Sequence, residues 1–383
     1  MELKNKIDLI KKTVNHEAAE KVPVIGLYEF WAIGYAGETY GGQLDNLPVQ
    51  KKIMKKVMGD FTFDGVFEVG NSWPFSVHST LGTHSYFISE DKVSLQHSEY
   101  ALMSDPEEYD SLIKDFMGYT YNELFLRKFP NINGDEKSVH ETMKKAMLQL
   151  LGWYDELEAC GKYAEEECNT PCIVFDWCVE PMDMIFDYYR GFKGTMTDVR
   201  RNPEKIAALA DIIADYEIKM YDASGSFTGA EYPYFFIPIH CPTYLNPKQF
   251  EKLYWPSFKK MADYYDKKQT RVMAYWEGDC RHVYDHISQL PPNRYISVLE
   301  KTDFALAKKS IGKNTAILGG ISTEMLKNES VEKCIDETKR IFDICAPGGG
   351  FMFSTDKLLI TTNDVNSDTY MKVNEFANEY GKF

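Results

Sequence analysis

The chain has 383 residues, of which 44% are hydrophobic and 26% charged, a balance typical of soluble globular proteins. Its net charge of −15 argues against a nucleic-acid-binding role, because phosphate backbones favour a basic surface. Because it has neither a run of eighteen apolar residues nor the apolar core of a signal peptide at its start, we expect no membrane segment and a cytoplasmic location.

Eight short apolar segments of strand type recur along the chain, and longer segments of helical type separate them. In chain order they are Val22–Leu27, Phe63–Val69, Cys172–Trp177, Tyr234–His240, Arg271–Trp276, Tyr295–Glu300, Thr315–Gly319 and Gly350–Ser354. Apolar runs of this length are typical of strands buried on both faces of a parallel sheet. The alternation predicts an α/β fold, a (β/α)8 TIM barrel formed by residues 1–383 as one domain, with a doubly wound sheet as the alternative.

Two of the helical segments have clear ends. Pro247–Lys267 follows Asn246, which suits the capping position, and Pro247 suits the first helical position. Ser330–Cys345 begins with a capping serine and is followed by a stretch rich in proline and glycine.

A long segment separates the second and third predicted strands. Ser85–Tyr100 is predicted to form a hairpin that turns at Glu90 and Asp91, and Asp105–Glu167 is predicted to be largely helical. We interpret residues 78–168 as a helical and hairpin insertion over the mouth of the barrel, and as a candidate lid.

Polar and aromatic side chains follow the predicted strands, where the active sites of such barrels lie. The carboxylates and the histidine are Glu29, Glu68, Asp176, His240, Glu277 and Glu300. The rings are Tyr28, Trp31, Trp73, Trp177, Tyr275 and Trp276, a set suited to walling a pocket for an aromatic ligand. This inventory indicates an enzyme.

Several cofactor classes lack sequence support. The chain has no P-loop, no GxGxxG after a strand, no HExxH and no GxSxG, so a nucleotide cofactor is not predicted. Its eight cysteines include no CxxC pair and are expected to be reduced.

Zinc is a candidate, because it accepts imidazole, thiolate and carboxylate ligands. The eligible residues are His240, Cys241, Glu277, Cys280 and Glu300. Adjacent strand residues point to opposite faces, so one of His240 and Cys241 is expected to reach the site.

Three stretches resemble the uroporphyrinogen decarboxylase superfamily, and the resemblance covers nearly the whole chain. They are LNPKQFEKLYWPSFKKM after the fourth strand, TDFALAKKSIGKNTAILGGISTEML and ICAPGGGFMFS. The chain departs from true decarboxylases, whose arginine-rich loop after strand one binds propionates, because that place reads LYEFWAIGYAGE. It departs from coenzyme M methyltransferases, whose HxCG motif is replaced by YWEG around Glu277, and no Cys stands beside Ser354.

The segments IPIHCPTYLNPKQFEKLYWP, YWEGDCR and LEKTD are similar to the branch of corrinoid-dependent methyltransferases that includes O-demethylases. The resemblance implies that a methyl group moves from a methoxylated aromatic to the cobalt of a separate corrinoid protein. The separate protein is expected because this chain has no DxHxxG cobalamin motif. The implied zinc ligands are His240, Glu277 and Glu300, and the ion would polarise the ether oxygen.

Within this hypothesis Glu277 is catalytic, and Asp176 or Tyr275 relays a proton. Tyr28 and the four tryptophans given above would stack on the substrate ring. Other methyl donors (a methylamine, a methyl thiol or a methyl halide), methyl transfer from a methylcobamide to a thiol, a decarboxylase and a non-catalytic barrel that binds a corrinoid protein remain alternatives.

Overall fold

The computed structural model describes residues 2–83, 87–94, 101–224 and 229–383. Its strands are β1 (Ile25–Gly26), β2 (Gly65–Val66), β3 (Phe87–Ile88), β4 (Val93–Ser94), β5 (Val174–Trp177), β6 (Tyr234–Ile239), β7 (Val272–Trp276), β8 (Tyr295–Leu299), β9 (Ala316–Ile321) and β10 (Phe351–Thr355).

The α-helices are α1 (Leu3–Val14), α2 (Trp31–Tyr35), α3 (Leu47–Asp60), α4 (Phe75–Leu81), α5 (Glu108–Lys114), α6 (Phe116–Tyr119), α7 (Phe125–Lys128), α8 (Glu136–Glu166), α9 (Pro181–Asp183), α10 (Gly191–Arg201), α11 (Pro203–Ser224), α12 (Pro247–Gln249), α13 (Trp255–Lys267), α14 (Tyr284–Ile287), α15 (Phe304–Ser310), α16 (Thr323–Asn328), α17 (Val331–Cys345) and α18 (Ser367–Tyr380). Three π-helical segments interrupt this order at Thr120–Leu124, Met184–Tyr189 and Phe250–Tyr254. Short 3-10 turns lie at Pro130–Ile132, Cys241–Tyr244 and Arg281–Val283.

The eight predicted strands all form, and all pair in parallel. Strands β5 to β10 make a six-stranded sheet in chain order, and β1 pairs with β2. Parallel bridges connect this pair to both edges of the larger sheet, from Val24 to Phe353 and from Val66 to Cys172. The prediction of an α/β fold built on a parallel sheet is confirmed.

One buried cluster draws members from α1 and from six of the eight parallel strands, and from the residues adjoining the other two, β2 and β5. Its residues are Ile10, Val14, Ile25, Leu27, Phe67, Ile173, Tyr234, Met273, Tyr275, Ile296, Val298, Ala316, Leu318 and Met352. A larger cluster packs the other faces of the strands against the helices. The strands are thus buried on two faces, which explains why each reads as a continuous apolar run.

The predicted ends of two helical segments are found. Asn246 caps α12 through a capping box with Gln249, and α12, the π-helical segment Phe250–Tyr254 and α13 follow one another over the predicted range. Ser330 caps α17, with its hydroxyl accepting the amide of Lys333.

Between the second and third parallel strands, β3 and β4 form an antiparallel hairpin that pairs Phe87 with Ser94 and Ile88 with Val93. The remaining parts of the predicted hairpin, residues 85–86 and 95–100, lie outside the described residues. Helix α8 follows, with 31 residues. Within the described ranges, no helix is both long enough and apolar enough to cross a bilayer.

Candidate active site

His240 follows β6 and is held between two carboxylates. Its Nδ1 lies 2.6 Å from Asp187 Oδ2, and its Nε2 lies 3.0 Å from Glu277 Oε1. Burial of the ring opposes protonation, but the two carboxylates outweigh burial and hold the pKa of His240 well above its usual range. The ring is therefore an imidazolium at neutral pH that donates from both nitrogens.

The backbone beneath His240 is fixed by the fully buried carboxylate of Asp183. Asp183 accepts hydrogen bonds from the backbone amide of His240 at 3.1 Å and that of Cys241 at 2.6 Å. It accepts a third from the Tyr254 hydroxyl at 2.7 Å. Burial, opposed by the nearby His240, raises the pKa of Asp183 to about 7.

Two irregular helical turns supply these contacts. Asp187 lies in the π-helical segment Met184–Tyr189, and Tyr254 ends the π-helical segment Phe250–Tyr254. Such segments often occur at functional sites because they redirect side chains that a regular helix would place elsewhere.

Glu277 and Glu300 meet at the ends of the neighbouring strands β7 and β8. The carboxyl group of Glu300 accepts the amide of Gly278, whose φ of +70° suits glycine. A Cβ at Gly278 would lie 2.6 Å from the Thr243 hydroxyl oxygen, so the turn also requires glycine for space. Burial and the nearby Glu277 raise the pKa of Glu300, against the lowering effect of the Gly278 amide.

The predicted zinc ligands come close together, but their donor atoms are engaged with protein groups. Both nitrogens of His240 contact carboxylates, and Glu300 accepts the Gly278 amide. Over the described part of the chain, no three His, Cys, Asp or Glu side chains form a group that could hold a metal ion. The arrangement therefore does not present the three-ligand set that a catalytic zinc requires.

The two cysteines that remained as ligand candidates are buried thiols. Burial raises the pKa of Cys241 and of Cys280, which favours the protonated form over the thiolate that binds a metal. Cys280 Sγ contacts the carbonyl oxygen of Glu277 at 3.4 Å.

A second pair of carboxyl groups lies at the ends of the first two parallel strands. Glu29 and Glu68 share a hydrogen bond, and Trp73 also bonds to Glu29. Burial, followed by the repulsion of Glu68, raises the pKa of Glu29 well above its usual range, and Glu277 contributes in the same direction. Burial thus favours the protonated form of both carboxyl groups over that of exposed ones, and the effect is larger for Glu29.

A small cavity of about 30 Å³ adjoins this pair. Its lining includes Tyr28, Gln43, Gln50 and Ser72 beside the two glutamates. A space of this size accommodates one or two water molecules rather than an aromatic ring.

The predicted aromatic wall divides into exposed and buried rings. Trp73 and Trp177 lie near each other, with ring centroids 6.1 Å apart, and Trp177 is 44% exposed. Phe175, which the sequence had not suggested, is 73% exposed. These rings are accessible to a ligand.

The other predicted rings belong to the packed core. Trp31 stacks on Tyr35, and Trp276 meets the edge of Phe258 between sheet and helix; both tryptophans are fully buried. Tyr28 is also buried, and Tyr275 is buried with its hydroxyl accepting the amide of Leu358 at 3.0 Å. In this conformation these rings support the site from behind and do not face a ligand.

Asp176 is directed away from His240 by a β-bulge. The register with β6 shifts between Val174 and Asp176, which pairs Asp176 with Phe235 on the helix-facing side of the sheet. There, burial raises the pKa of Asp176, and the charge of Asp176 acts on Glu217 of α11. The structure does not bring Asp176 together with Glu277 and Tyr275.

Several pairings within the site could not be predicted from the sequence. Glu29 and Glu68 stand after strands, but nothing in the sequence shows that they pair. Asp187 lies far from His240 in the chain, and no motif links them. Asp356 and Lys357, after β10, act electrostatically on Glu300, and neither was selected from the sequence.

Comparison with known proteins places this chain in a family. The family model described as uroporphyrinogen decarboxylase (URO-D) matches residues 143–360, more than half of the chain. A solved methyltransferase from Methanosarcina mazei aligns with a TM-score of 0.64 and 14% identity over 99% of each chain, which shows a shared fold. A B12-independent methionine synthase from Shewanella sp. W3-18-1, in complex with selenomethionine, aligns with a TM-score of 0.43 and 10% identity over 94% of this chain and 96% of that chain. No curated protein matches the sequence. The chain belongs to the uroporphyrinogen decarboxylase family.

Proposed function

We propose that the protein is a methyltransferase that removes the methyl group of a methoxylated aromatic and passes it to a corrinoid carried by a separate protein. The observation that carries this proposal is the placement of the buried Glu29–Glu68 pair, with Glu29 bonded to Trp73, beside the exposed ring of Trp177. Family membership and the fold shared with a protein described as a methyltransferase support it.

Cleavage of an aryl methyl ether requires help for the leaving group, because a phenolate leaves poorly without a proton or a Lewis acid. In the proposed reaction the O–CH3 bond breaks, and the methyl group moves to the nucleophilic acceptor that the partner protein supplies. The electron pair of that bond remains on the phenol oxygen, which takes a proton from Glu29. The products are the phenol and the methylated acceptor.

The residues of this chain have distinct roles in the proposal. Trp73 and Trp177 stack on the substrate ring, and Glu29 is the proton donor, kept neutral by burial and by Glu68. Glu277 and His240 form a fixed ion pair beside them, since the charge of Glu277 also reaches Glu29.

Zinc on His240, Glu277 and Glu300 stays a prediction from the resemblance. The described residues place two candidate donors, His240 Nε2 and Glu277 Oε1, 3.0 Å apart, and Glu300 would have to leave the Gly278 amide to join them. A bound zinc would polarise the ether oxygen.

We also propose that the eight parallel strands close into a barrel and that the chain forms one domain. The bridges from Val24 to Phe353 and from Val66 to Cys172 support closure of the eight parallel strands into a TIM barrel. Residues 1–383 would form one domain in the cytoplasm, with the insertion at 78–168 acting as a lid.

The acid role of Glu29 predicts a pH dependence. The neutral acid is active, so methyl transfer is present below the raised pKa of Glu29 and is lost as pH rises through it. Glu68→Gln removes the neighbouring charge, lowers the pKa of Glu29 and should move the alkaline limb of the rate profile to lower pH by roughly 1–3 units. Rates measured from pH 5 to 9 test this, with Glu251→Gln on an exposed helix as the control. An alkaline limb that stays in place removes Glu29 as the proton donor.

The donor class is tested by incubating the full-length protein with reduced cobalamin and one candidate donor at a time. We expect methoxybenzoates to yield methylcobalamin and the corresponding phenol. With methylamine, methyl thiols and methyl halides we expect no rate above that of a protein-free control, which is required because cobalt(I) reacts with methyl halides unaided. Turnover with one of these other donors alone would replace the aromatic substrate, and decarboxylation or inertness would reject methyl transfer.

The same assay applies to zinc. Chelator-treated protein should lose activity and recover it with added zinc if the ion takes part. Full activity of protein shown by elemental analysis to be metal-free would reject the Lewis-acid route.

A further inference from the structure

Helix α8 exposes a continuous apolar stripe on the side that faces away from the rest of the chain. Its members are Met143, Met147, Leu148, Leu151 and Tyr154, which are between 38% and 61% exposed. At 3.6 residues per turn they fall on one side of the helix over about three turns. We refer to these five residues as the α8 stripe.

The opposite side of α8 is already occupied. Ala146, Cys160 and Ala164 are buried, and the Trp153 indole nitrogen donates to the carbonyl of Asn71 at 2.6 Å. The helix is thus apolar on two sides, and one of these sides packs against the rest of the chain. A contiguous apolar patch on a surface helix indicates an interface, because exposing it to water is unfavourable.

Charges of opposite sign flank the stripe. Lys144 lies toward its N-terminal end and Asp155 toward its C-terminal end, about three turns apart and therefore on the same side of the helix. Neither side chain has an ion-pair partner within the described ranges, and both are exposed. A partner helix that runs antiparallel and carries the same pattern in reverse would complement both charges.

The pattern is complementary to itself. A twofold axis between Leu148 and Leu151 places Leu148 of one copy opposite Leu151 of the other, and Lys144 of each copy opposite Asp155 of the other. We propose that the α8 stripe is the interface of a homodimer in which two copies of α8 pack antiparallel. The apolar side chains supply the affinity, and the two symmetric charge pairs fix the register.

Sedimentation equilibrium of the full-length protein over a range of concentrations tests the dimer. The wild type should be a dimer, and Leu148→Lys should raise the dimer Kd at least about 100-fold, because the change places a charge in both of the symmetric Leu148–Leu151 contacts. Lys145→Glu, an equally exposed lysine on the same helix but to the side of the stripe, is the matched control and should leave the Kd unchanged. Circular dichroism confirms that each variant is folded.

Charge reversal tests the antiparallel register. Lys144→Glu and Asp155→Lys should each weaken the dimer, because each places like charges opposite each other. When the two variants are mixed, native mass spectrometry should show the mixed dimer in excess over either homodimer, and the double variant K144E/D155K should dimerise like the wild type.

A monomeric wild type overturns the proposal, as does a dimer that Leu148→Lys leaves intact. A monomer whose stripe instead binds a corrinoid protein, with binding lost in Leu148→Lys, also overturns it and assigns the surface to that partner. If mixing Lys144→Glu with Asp155→Lys gives no excess of the mixed dimer over the homodimers, the antiparallel arrangement is rejected.

Discussion

Replacing Glu277 by glutamine should lower the rate of methyl transfer by about 10²–10³-fold, the range typical for the loss of one preorganised electrostatic group. Glutamine keeps the shape of the side chain but removes the negative charge that lies 3.0 Å from His240 Nε2. The imidazolium then has Asp187 as its one remaining carboxylate at hydrogen-bond distance, and its pKa falls. The charge that acts on Glu29 is lost as well.

The fold should survive this change, because the side chain of Glu277 is 39% exposed. Single-turnover rates with a methoxybenzoate and reduced cobalamin give the loss, and the unfolding midpoint of the variant checks its stability. Glu251→Gln, which removes one carboxylate from an exposed helical position, is the matched control and should retain full activity. Near-normal turnover in Glu277→Gln would remove Glu277 from the mechanism.

The parallel strands could be predicted because burial on two faces leaves a strong signal in the sequence. Strands β6 to β10 differ from the predicted segments by at most two residues at either end. The first two parallel strands are shorter than predicted, since the regular pairing of β1 and β2 covers two residues each. Apolar runs report burial rather than hydrogen bonding, so they overestimate strands whose ladders end early.

The strand-end rule placed His240, Glu277 and Glu300 in one region, but it could not orient every side chain. Tyr275 and Trp276 are adjacent strand residues, so one of the two must face the helices, and that residue is Trp276. The bulge near Phe175 reversed the expected direction of Asp176, and a bulge depends on the register of two strands rather than on the sequence of one. The partner of His240, Asp187, depends on a π-helical turn that the sequence does not reveal.

In the proposed mechanism, the pair Glu29 and Glu68 and the pair Asp187 and Glu277 have different roles. Burial, followed by the charge of Glu68, raises the pKa of Glu29, which suits the acid that the proposed reaction requires. Asp187 and Glu277 lie on opposite nitrogens of the His240 ring, and their contacts fix the orientation of that ring. Similar residues thus provide a neutral donor in one place and a rigid charged element in the other, because their neighbours differ.

Replacing Asp183 by alanine should lower the free energy of unfolding by roughly 3–5 kcal/mol, the cost of removing one partner from a buried network. Asp183 is fully buried and accepts three hydrogen bonds, so its loss leaves the amides of His240 and Cys241 and the Tyr254 hydroxyl without an acceptor. Tyr254→Phe deletes one of these donors and leaves the two backbone bonds, so it should cost only about 1–2 kcal/mol. Guanidinium denaturation of both variants measures the two losses of unfolding free energy, provided that the dependence of this free energy on denaturant concentration is the same in each.

The hydrogen bonds from the amides of His240 and Cys241 to Asp183 also hold the turn that carries His240. Asp183→Ala should therefore reduce methyl transfer as well, under conditions where the variant remains folded. Equal stability of Asp183→Ala and the wild type would show that the turn at His240 is held by other contacts.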